Sequence, residues 1–98
     1  MNNMKDHEAL VKSIKRSTDN LRSMMEASLP SLANEVDSII KEKDKSIQRI
    51  EHILDDLLNY MQLGVGEREF IRLNKYYASF NRENAGSYNQ FYSEMKEG

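Results

Sequence analysis

The chain has 98 residues with 14 basic and 16 acidic side chains, which give a formal net charge of −2 at pH 7. This balance leaves no global electrostatic attraction for nucleic acid or for an anionic membrane. The absence of cysteine excludes a disulfide framework. The length allows one small domain, residues 1–98, with a modest core.

Apolar residues are numerous but scattered along the chain. They make up 39% of the sequence, which is typical of a folded protein. The longest apolar runs have two or three residues, which is too short for a signal peptide or a membrane span. We therefore expect a folded, cytoplasmic protein that does not enter a membrane.

The first two-thirds of the sequence has the pattern of long helices. Residues 1–63 contain no glycine, and their apolar residues recur at steps of three and four, which keeps a seam facing a neighbouring helix. The first seam consists of Met4, His7, Val11, Ile14, Thr18, Leu21, Met25 and Ser28. The second seam consists of Val36, Ile40, Lys43, Ile47, Ile50, Leu54, Leu57 and Met61. Because Ile and Leu dominate the second seam, we expect it to form the tighter core.

Pro30 lies between the two seams and allows two interpretations. Proline cannot donate the helical hydrogen bond but is well tolerated in a helix's first turn. The first interpretation is therefore an antiparallel hairpin with helices at about 5–28 and 31–62. The second is one long helix kinked at Pro30, because Met25, Leu29, Leu32 and Val36 carry the apolar pattern across the proline. We favour the hairpin.

Glycine occurs only in the last third of the sequence, where it separates two shorter helices. Gly64 is placed to close the second long helix in the left-handed conformation. We predict a helix over about 67–81, a loop over 81–86 and a last helix over about 87–96. Ser87 and Gln90 form a capping-box pattern at the start of that last helix. These helices would close the hairpin into a small all-α helical bundle.

His52, Asp55 and Asp56 form the densest cluster that could bind a metal ion. On a helix the histidine faces both carboxylates, which follow it by three and four residues. Metal sites in helical bundles draw their ligands from several helices, and the other histidine, His7, is distant in the sequence. We therefore interpret the cluster as a solvated acidic face and predict no bound metal or cofactor.

Lys43, Arg72 and Tyr76 are the candidate partner-binding residues. Lys43 occupies a seam position, where a polar residue can set the register or the oligomeric state. Tyr76 falls off the helical face that Phe70 and Tyr77 share, so we expect it to remain outside the core. Arg72 belongs to the same basic and aromatic segment as Tyr76.

All eight aromatic residues lie beyond residue 59. Together with the interleaved basic residues they could stack on bases, so nucleic-acid binding through segment 67–92 is an alternative function. Helical spacing explains most of them as core instead. The residues predicted to point inward are Phe70, Tyr77, Phe80, Tyr88, Phe91, Tyr92 and the nearby Met95.

The sequence has no motif that indicates catalysis. With no cysteine and two histidines, few nucleophile–base pairs can form. The Gly64-Val65-Gly66 segment follows a helix and not a strand, so it does not resemble a phosphate loop. We interpret the chain as a non-enzymatic protein–protein interaction or regulatory module that acts through a helical surface. It would act as a homodimer or as a small bacterial-type immunity or regulatory partner of a larger protein.

Overall fold

The structure, a computed structural model, describes residues 3–97, with side chains described from Val11 onward. Over this range the chain forms four helices and no strand, which confirms the predicted all-α class. The helices are α1 (Asn3–Glu42), α2 (Ile47–Met61), α3 (Glu67–Ala78) and α4 (Arg82–Glu97). Each of the helices in this range is too short or too polar to cross a membrane.

Helix α1 determines the shape of the molecule. Its 40 residues span about 60 Å at a rise of about 1.5 Å per residue, which matches the longest dimension of the protein, 62 Å. The C-terminal part of α1, residues 29–42, packs against α2 and α3. The longer N-terminal part, residues 3–28, extends beyond them. We call this N-terminal part the arm, and residues 29–97 the bundle.

The core lies inside the bundle and draws on all four helices. Each helix contributes the side chains that its apolar face predicts, so burial of the hydrophobic faces holds the helices together. The buried residues are Val36, Ile39, Ile50, Ile53, Leu54, Leu57, Phe70, Leu73, Tyr77, Ala85 and Tyr88. The predicted second seam is thus largely core, although Ile47 and Lys43 are exposed.

The predicted hairpin turn at Pro30 is wrong, because α1 continues through the proline to Glu42. Pro30 deprives the carbonyl of Glu26 of its usual helical donor. Both residues are exposed, so water can solvate that carbonyl and its loss of a partner is tolerated. The second interpretation, one long helix, agrees with the observed element, and Leu29 and Leu32 pack against the core immediately around the proline.

The chain turns at residues 43–46 instead, within a charged run that we predicted to be an exposed helix face. The N–H of Asp44 donates to the carbonyl of Ile39 (2.9 Å) and that of Lys43 to the carbonyl of Ile40 (3.3 Å). This pair of bonds closes a helix around a left-handed residue, and Lys43 takes that conformation with φ of 55°. Ser46 then caps α2 by accepting a hydrogen bond from the N–H of Arg49. The predicted second helix, 31–62, is consequently shortened to Ile47–Met61.

Gly64 ends α2 as predicted. Its N–H donates to Met61 and the N–H of Val65 to Tyr60, which is the same closing pattern around a residue with φ of 77°. Gly66 is also left-handed, with φ of 90°, and a Cβ there would lie 3.0 Å from Leu57. Glycine at this position therefore lets the α2–α3 loop approach α2 closely.

The predicted loop over 81–86 is wrong, since α4 begins at Arg82. The side chain of Asn81 accepts a hydrogen bond from the N–H of Asn84 (3.2 Å), which caps the helix there. Gly86 lies within α4 with open space around it, and Ser87 bonds back to the carbonyl of Glu83 and does not begin a helix. Helix α3 ends at Ala78, slightly before the predicted bound of 81.

Candidate functional site

The most unusual surface of the described chain is the apolar stripe of the arm. At about 100° per residue, Val11, Ile14 and Leu21 point to the same side of α1 as Val36 and Ile39. Val36 and Ile39 have no exposed surface in the bundle, whereas Ile14 is 59% exposed and Leu21 47% exposed in the arm. A single helical face is therefore buried in the C-terminal part of α1 and exposed in the arm.

The stripe of the arm is wider than a single row of side chains. Val11 and Met24 are also exposed, Met24 by 68%, and Met25 is half-buried where the arm reaches the bundle. Thr18 lies within the stripe, but its hydroxyl donates to the carbonyl of Ile14 (3.1 Å). Because that bond satisfies the hydroxyl within the helix, the methyl group of Thr18 can pack against another apolar surface without an unpaired donor. The predicted seam residues Met4 and His7 lie outside the residues whose side chains are described.

Charge distinguishes the arm from the bundle. The arm contains five basic and four acidic side chains and carries +1, whereas residues 29–97 contain nine basic and twelve acidic side chains and carry −3. Lys15 and Arg22 border one edge of the stripe. Arg22 forms an exposed ion pair with Glu26 (3.2 Å) on its own helix, a contact that contributes little to stability.

The arm meets the bundle at a corner formed by Arg22 and Ser28 of α1 with Tyr60 and Gly64. The hydroxyl oxygens of Ser28 and Tyr60 lie 2.5 Å apart, and Ser28 also donates to the carbonyl of Met25. The guanidinium of Arg22 lies beside Gly64. The α2–α3 loop thus marks the level at which the bundle stops covering α1, and the corner fixes the arm against it.

His52, Asp55 and Asp56, the weak candidates for a metal site, do not converge on one point. His52 Nε2 lies 3.6 Å from Asp56, with the histidine side chain 77% exposed. Asp55 instead accepts a hydrogen bond from the hydroxyl of Tyr88 (2.7 Å), and burial followed by this bond raises the pKa of Tyr88. Among the residues with described side chains, no group of three or more His, Cys, Asp or Glu side chains is arranged to hold a metal ion.

The predicted partner-binding residues lie at the end of the bundle opposite to the arm. Tyr76 is half-buried, and its hydroxyl donates to the carbonyl of Asp44 (2.8 Å). The prediction that Tyr76 stays outside the core is therefore wrong, because this bond ties α3 to the 43–46 turn. Arg72 pairs with Asp37 of α1 (2.7 Å), while Lys43 is exposed in the turn.

A polar network between α2, α3 and α4 was not predicted from the sequence. Glu51 accepts hydrogen bonds from the Tyr77 hydroxyl (2.6 Å) and from the Asn84 amide (3.1 Å). Burial, and then the bond to Glu51, raises the pKa of Tyr77. Asn74 is buried and donates to the carbonyl of Ala85 (3.0 Å). These groups bind one another and fasten α4 to the bundle; the wrongly predicted loop at 81–86 concealed them.

The surface of the bundle carries shallow hollows with internally paired polar groups. One hollow of about 230 Å³ lies between Met61, Glu67, Tyr92 and Lys96, which is smaller than the 300–1,000 Å³ common for ligand pockets. Glu67 is paired with Lys96 (2.7 Å) and with the Tyr92 hydroxyl, and these bonds lower its pKa. A broader depression of about 570 Å³ lies beside Phe91 and is wide open to solvent. Phe91 is 53% exposed and so does not point inward as predicted.

Comparisons of the chain with protein-family models, with curated proteins and with solved structures found no match. The molecule's own surfaces are therefore the guide to its function. Among the described residues, the arm carries exposed apolar side chains in a continuous helical pattern: Val11, Ile14, Leu21 and Met24. The aromatic segment 67–92, the alternative binding surface, has Phe70 and Tyr77 buried in the core.

Proposed function

We propose that this protein is a non-enzymatic protein–protein interaction module that binds its partner through the apolar stripe of the arm. The observation that carries the proposal is the continuity of the stripe: the face of α1 that forms the bundle core continues outward, uncovered, past Ser28. Apolar anchors at steps of three and four are how an amphipathic helix binds a groove or another helix.

Energetics support a partner for the arm. Helical segments in proteins gain most of their stability from packing of an apolar face against a neighbour. Residues 11–24 are all exposed, so the arm receives little packing within its own chain. Covering Val11, Ile14, Leu21 and Met24 would remove apolar surface from water at about 25 cal/mol per Å².

The non-enzymatic part of the proposal is supported by the pairing of the polar groups. Glu51, Asp55 and Glu67 are acceptors for tyrosine hydroxyls of the same chain. Carboxylates that accept these hydrogen bonds hold helices of the same chain together. A regulatory or immunity-type role, in which the arm holds a larger protein, follows as the broader form of the proposal.

A capture experiment with matched variants tests the proposed function. The full chain is immobilised as wild type, as Leu21→Glu and as Ser23→Glu, where Leu21 lies in the stripe and Ser23 on the opposite, solvated side of the arm. We expect the wild type and Ser23→Glu to retain the same protein partner and Leu21→Glu to lose it. Equal retention by all three proteins would show that the stripe is not the binding surface.

A further inference from the structure

We propose that the depression between α2 and α4 is a docking site for a basic amphipathic helix of a protein partner, separate from the stripe of the arm. We call this depression the α2–α4 groove. Its volume of about 570 Å³ is within the range of roughly 300–1,000 Å³ that binding sites commonly have. The residues that carry the argument are Asp55, Leu58 and Gln62 of α2 and Phe91, Glu94 and Met95 of α4.

Two hydrogen bonds set the alignment of α2 and α4. The amide of Asn84 donates to Glu51 (3.1 Å), and these two residues are 33 positions apart in the chain. Four residues further along both helices, the hydroxyl of Tyr88 donates to Asp55 (2.7 Å), again across 33 positions. Because the separation is constant, the two helices run in the same direction with a fixed register.

The groove opens where these hydrogen bonds end. The same register places Leu58 level with Phe91 and then Gln62 level with Met95, and all four residues line the groove. Within the described chain no hydrogen bond joins α2 to α4 at these two levels, although both helices pack against α3. The end of α4 is thus held by α3, and the space between α4 and α2 stays unfilled.

Phe91 supplies an apolar anchor point in the groove. The chain has eight aromatic residues, all within the described range, and Phe91 alone among them is exposed, by 53%. Its ring packs edge-on against that of Tyr88, with the centroids 6.3 Å apart, so it is positioned before a partner binds. The half-buried Leu58 and Met95 extend the apolar surface beside it. Aromatic residues and methionine are enriched at the centres of protein interfaces.

The charge of the groove favours a basic partner. Asp55 and Glu94 lie on opposite walls, one on α2 and one on α4, and both are exposed. Their side-chain partners in the described chain are neutral: the hydroxyl of Tyr88 for Asp55 and the amide of Gln90 for Glu94 (3.3 Å). None of the described residues that line the groove is a lysine or an arginine. A cation of a partner can therefore pair with either wall and lie over the ring of Phe91.

The smaller hollow on the other side of α4 shows the same arrangement with its cation in place. There the ammonium group of Lys96 pairs with Glu67 (2.7 Å) and lies 5.7 Å from the centre of the Tyr92 ring. A carboxylate, an aromatic ring and a basic side chain are thus all supplied by the chain itself. In the α2–α4 groove the chain supplies the carboxylate and the ring, and the basic side chain is left for a partner.

The shape of the groove favours a helical partner. Between Asp55 and Gln62 the helix α2 rises about 10.5 Å, which is two turns. A space between two helices that run in the same direction accepts the ridges of a third helix, with apolar anchors one turn apart and basic residues on its flanks. An extended segment would need partners for its backbone N–H and C=O groups, and the apolar surface around Phe91 offers none.

Titration of the isotopically labelled full chain with two synthetic peptides, followed by NMR, tests the docking site. The basic peptide is an alanine-based helix of about 14 residues with two leucines one turn apart and arginines on both flanks, and the control peptide has glutamates in place of the arginines. We expect the basic peptide to bind with a dissociation constant below about 1 mM at low salt and more weakly at high salt. The shifted signals should surround Leu58, Gln62 and Phe91. Absence of binding, equal binding of the acidic peptide, or shifts centred on the arm would overturn the proposal.

Matched variants separate the groove from the rest of the surface. Phe91→Ala should raise the dissociation constant of the basic peptide at least about 10-fold, whereas Ile71→Ala, a 46% exposed position on α3, should leave it unchanged. Glu94→Lys should raise it by a similar factor through like-charge repulsion, and Glu42→Lys, at the end of α1, is the control. Leu21→Glu, which should lose the partner of the arm, should bind the peptide as the wild type does, so each proposal can fail without the other. Wild-type affinity in Phe91→Ala and Glu94→Lys would overturn this one.

Discussion

The arm and residues 29–42 belong to one helix and carry one apolar stripe, yet the stripe is exposed in the arm and buried in residues 29–42. Ile39 is fully buried between α1 and its neighbours, whereas Ile14, the same residue type on the same face, is 59% exposed. The difference in burial comes from the neighbouring helices and not from α1 itself. Helix α2 has 15 residues, so it cannot cover all 40 residues of α1. An apolar stripe thus shows that a helix can be covered, while the length of its neighbours decides where it is covered.

The largest expected effect is on the free energy of unfolding, and it should separate Ile39 from Ile14. Ile39→Ala removes fully buried methyl groups, so the free energy of unfolding should fall by about 2–5 kcal/mol. Ile14→Ala removes exposed ones and should change it by less than about 0.5 kcal/mol. Urea denaturation of dilute protein, where association is minimal, measures both values. Similar losses for the two variants would mean that the arm is covered within its own chain.

Substitution of Pro30 tests the continuity of α1 at the point where the arm joins the bundle. Because α1 is continuous through Pro30, Pro30→Ala restores a helical donor to the carbonyl of Glu26, and stability should rise by about 1–3 kcal/mol. Ser31→Ala, one residue further on at an exposed position, is the control and should change stability by less than about 0.5 kcal/mol. Thermal and urea unfolding provide the measurement, and a loss of stability in Pro30→Ala would favour a turn at the proline.

Lys43 offers a smaller test at the turn that brings α2 back along α1. Its left-handed conformation costs a side-chain-bearing residue about 1–2 kcal/mol, so Lys43→Gly should stabilise the protein by about 1 kcal/mol. Lys41→Gly, in the last turn of α1, should destabilise it by about 1 kcal/mol. Opposite shifts in the urea midpoint are expected, and equal destabilisation by both variants would contradict the turn geometry.

The smallest expected effect concerns acid, and it affects the turn but not the arm. The N–H of Ser46 and the guanidinium of Arg49 hold the pKa of Asp44 below its ordinary value of 3.8. Since the folded-state pKa is depressed, the contribution of Asp44 is complete above that value and is lost as the pH falls through the folded-state pKa. In Asp44→Asn, the decline of stability below about pH 4 should therefore be shallower than in the wild type. Asp19→Asn, a carboxylate of the arm, serves as the control, and an equal change in both variants would contradict this role for Asp44.

The sequence was sufficient for the helical class and for the elements whose signals are local. Gly64 predicted the end of α2 because left-handed glycine closes helices, and the Ile and Leu spacing predicted the residues of α2 that face the core. The turn at residues 43–46 could not be located in this way, because a lysine takes the position where glycine is expected. Pro30 was misleading for a different reason. The proline is tolerated within α1 because its position is exposed, and this exposure is visible only in the folded structure.

The candidate surface was predicted in part. Val11, Ile14 and Leu21 were recognised as a seam, but nothing in the spacing distinguishes a seam that faces α2 from one that extends beyond it. The residues first considered for partner binding, Arg72 and Tyr76, have intramolecular partners that are distant in the sequence, Asp37 and Asp44. Such pairings depend on tertiary structure, so periodicity alone gives no sign of them.

The number of residues in the arm also sets how far the arm extends from the bundle. Because residues 11–24 are exposed and contribute little to the core, a seven-residue unit could be removed from or added to the arm while the stripe stays aligned with Val36 and Ile39. Each such unit changes the reach of the arm by about 10.5 Å. The distance between the bundle and the far end of the stripe is therefore adjustable in whole repeats, with little effect on the part of the chain that folds around α2 and α3.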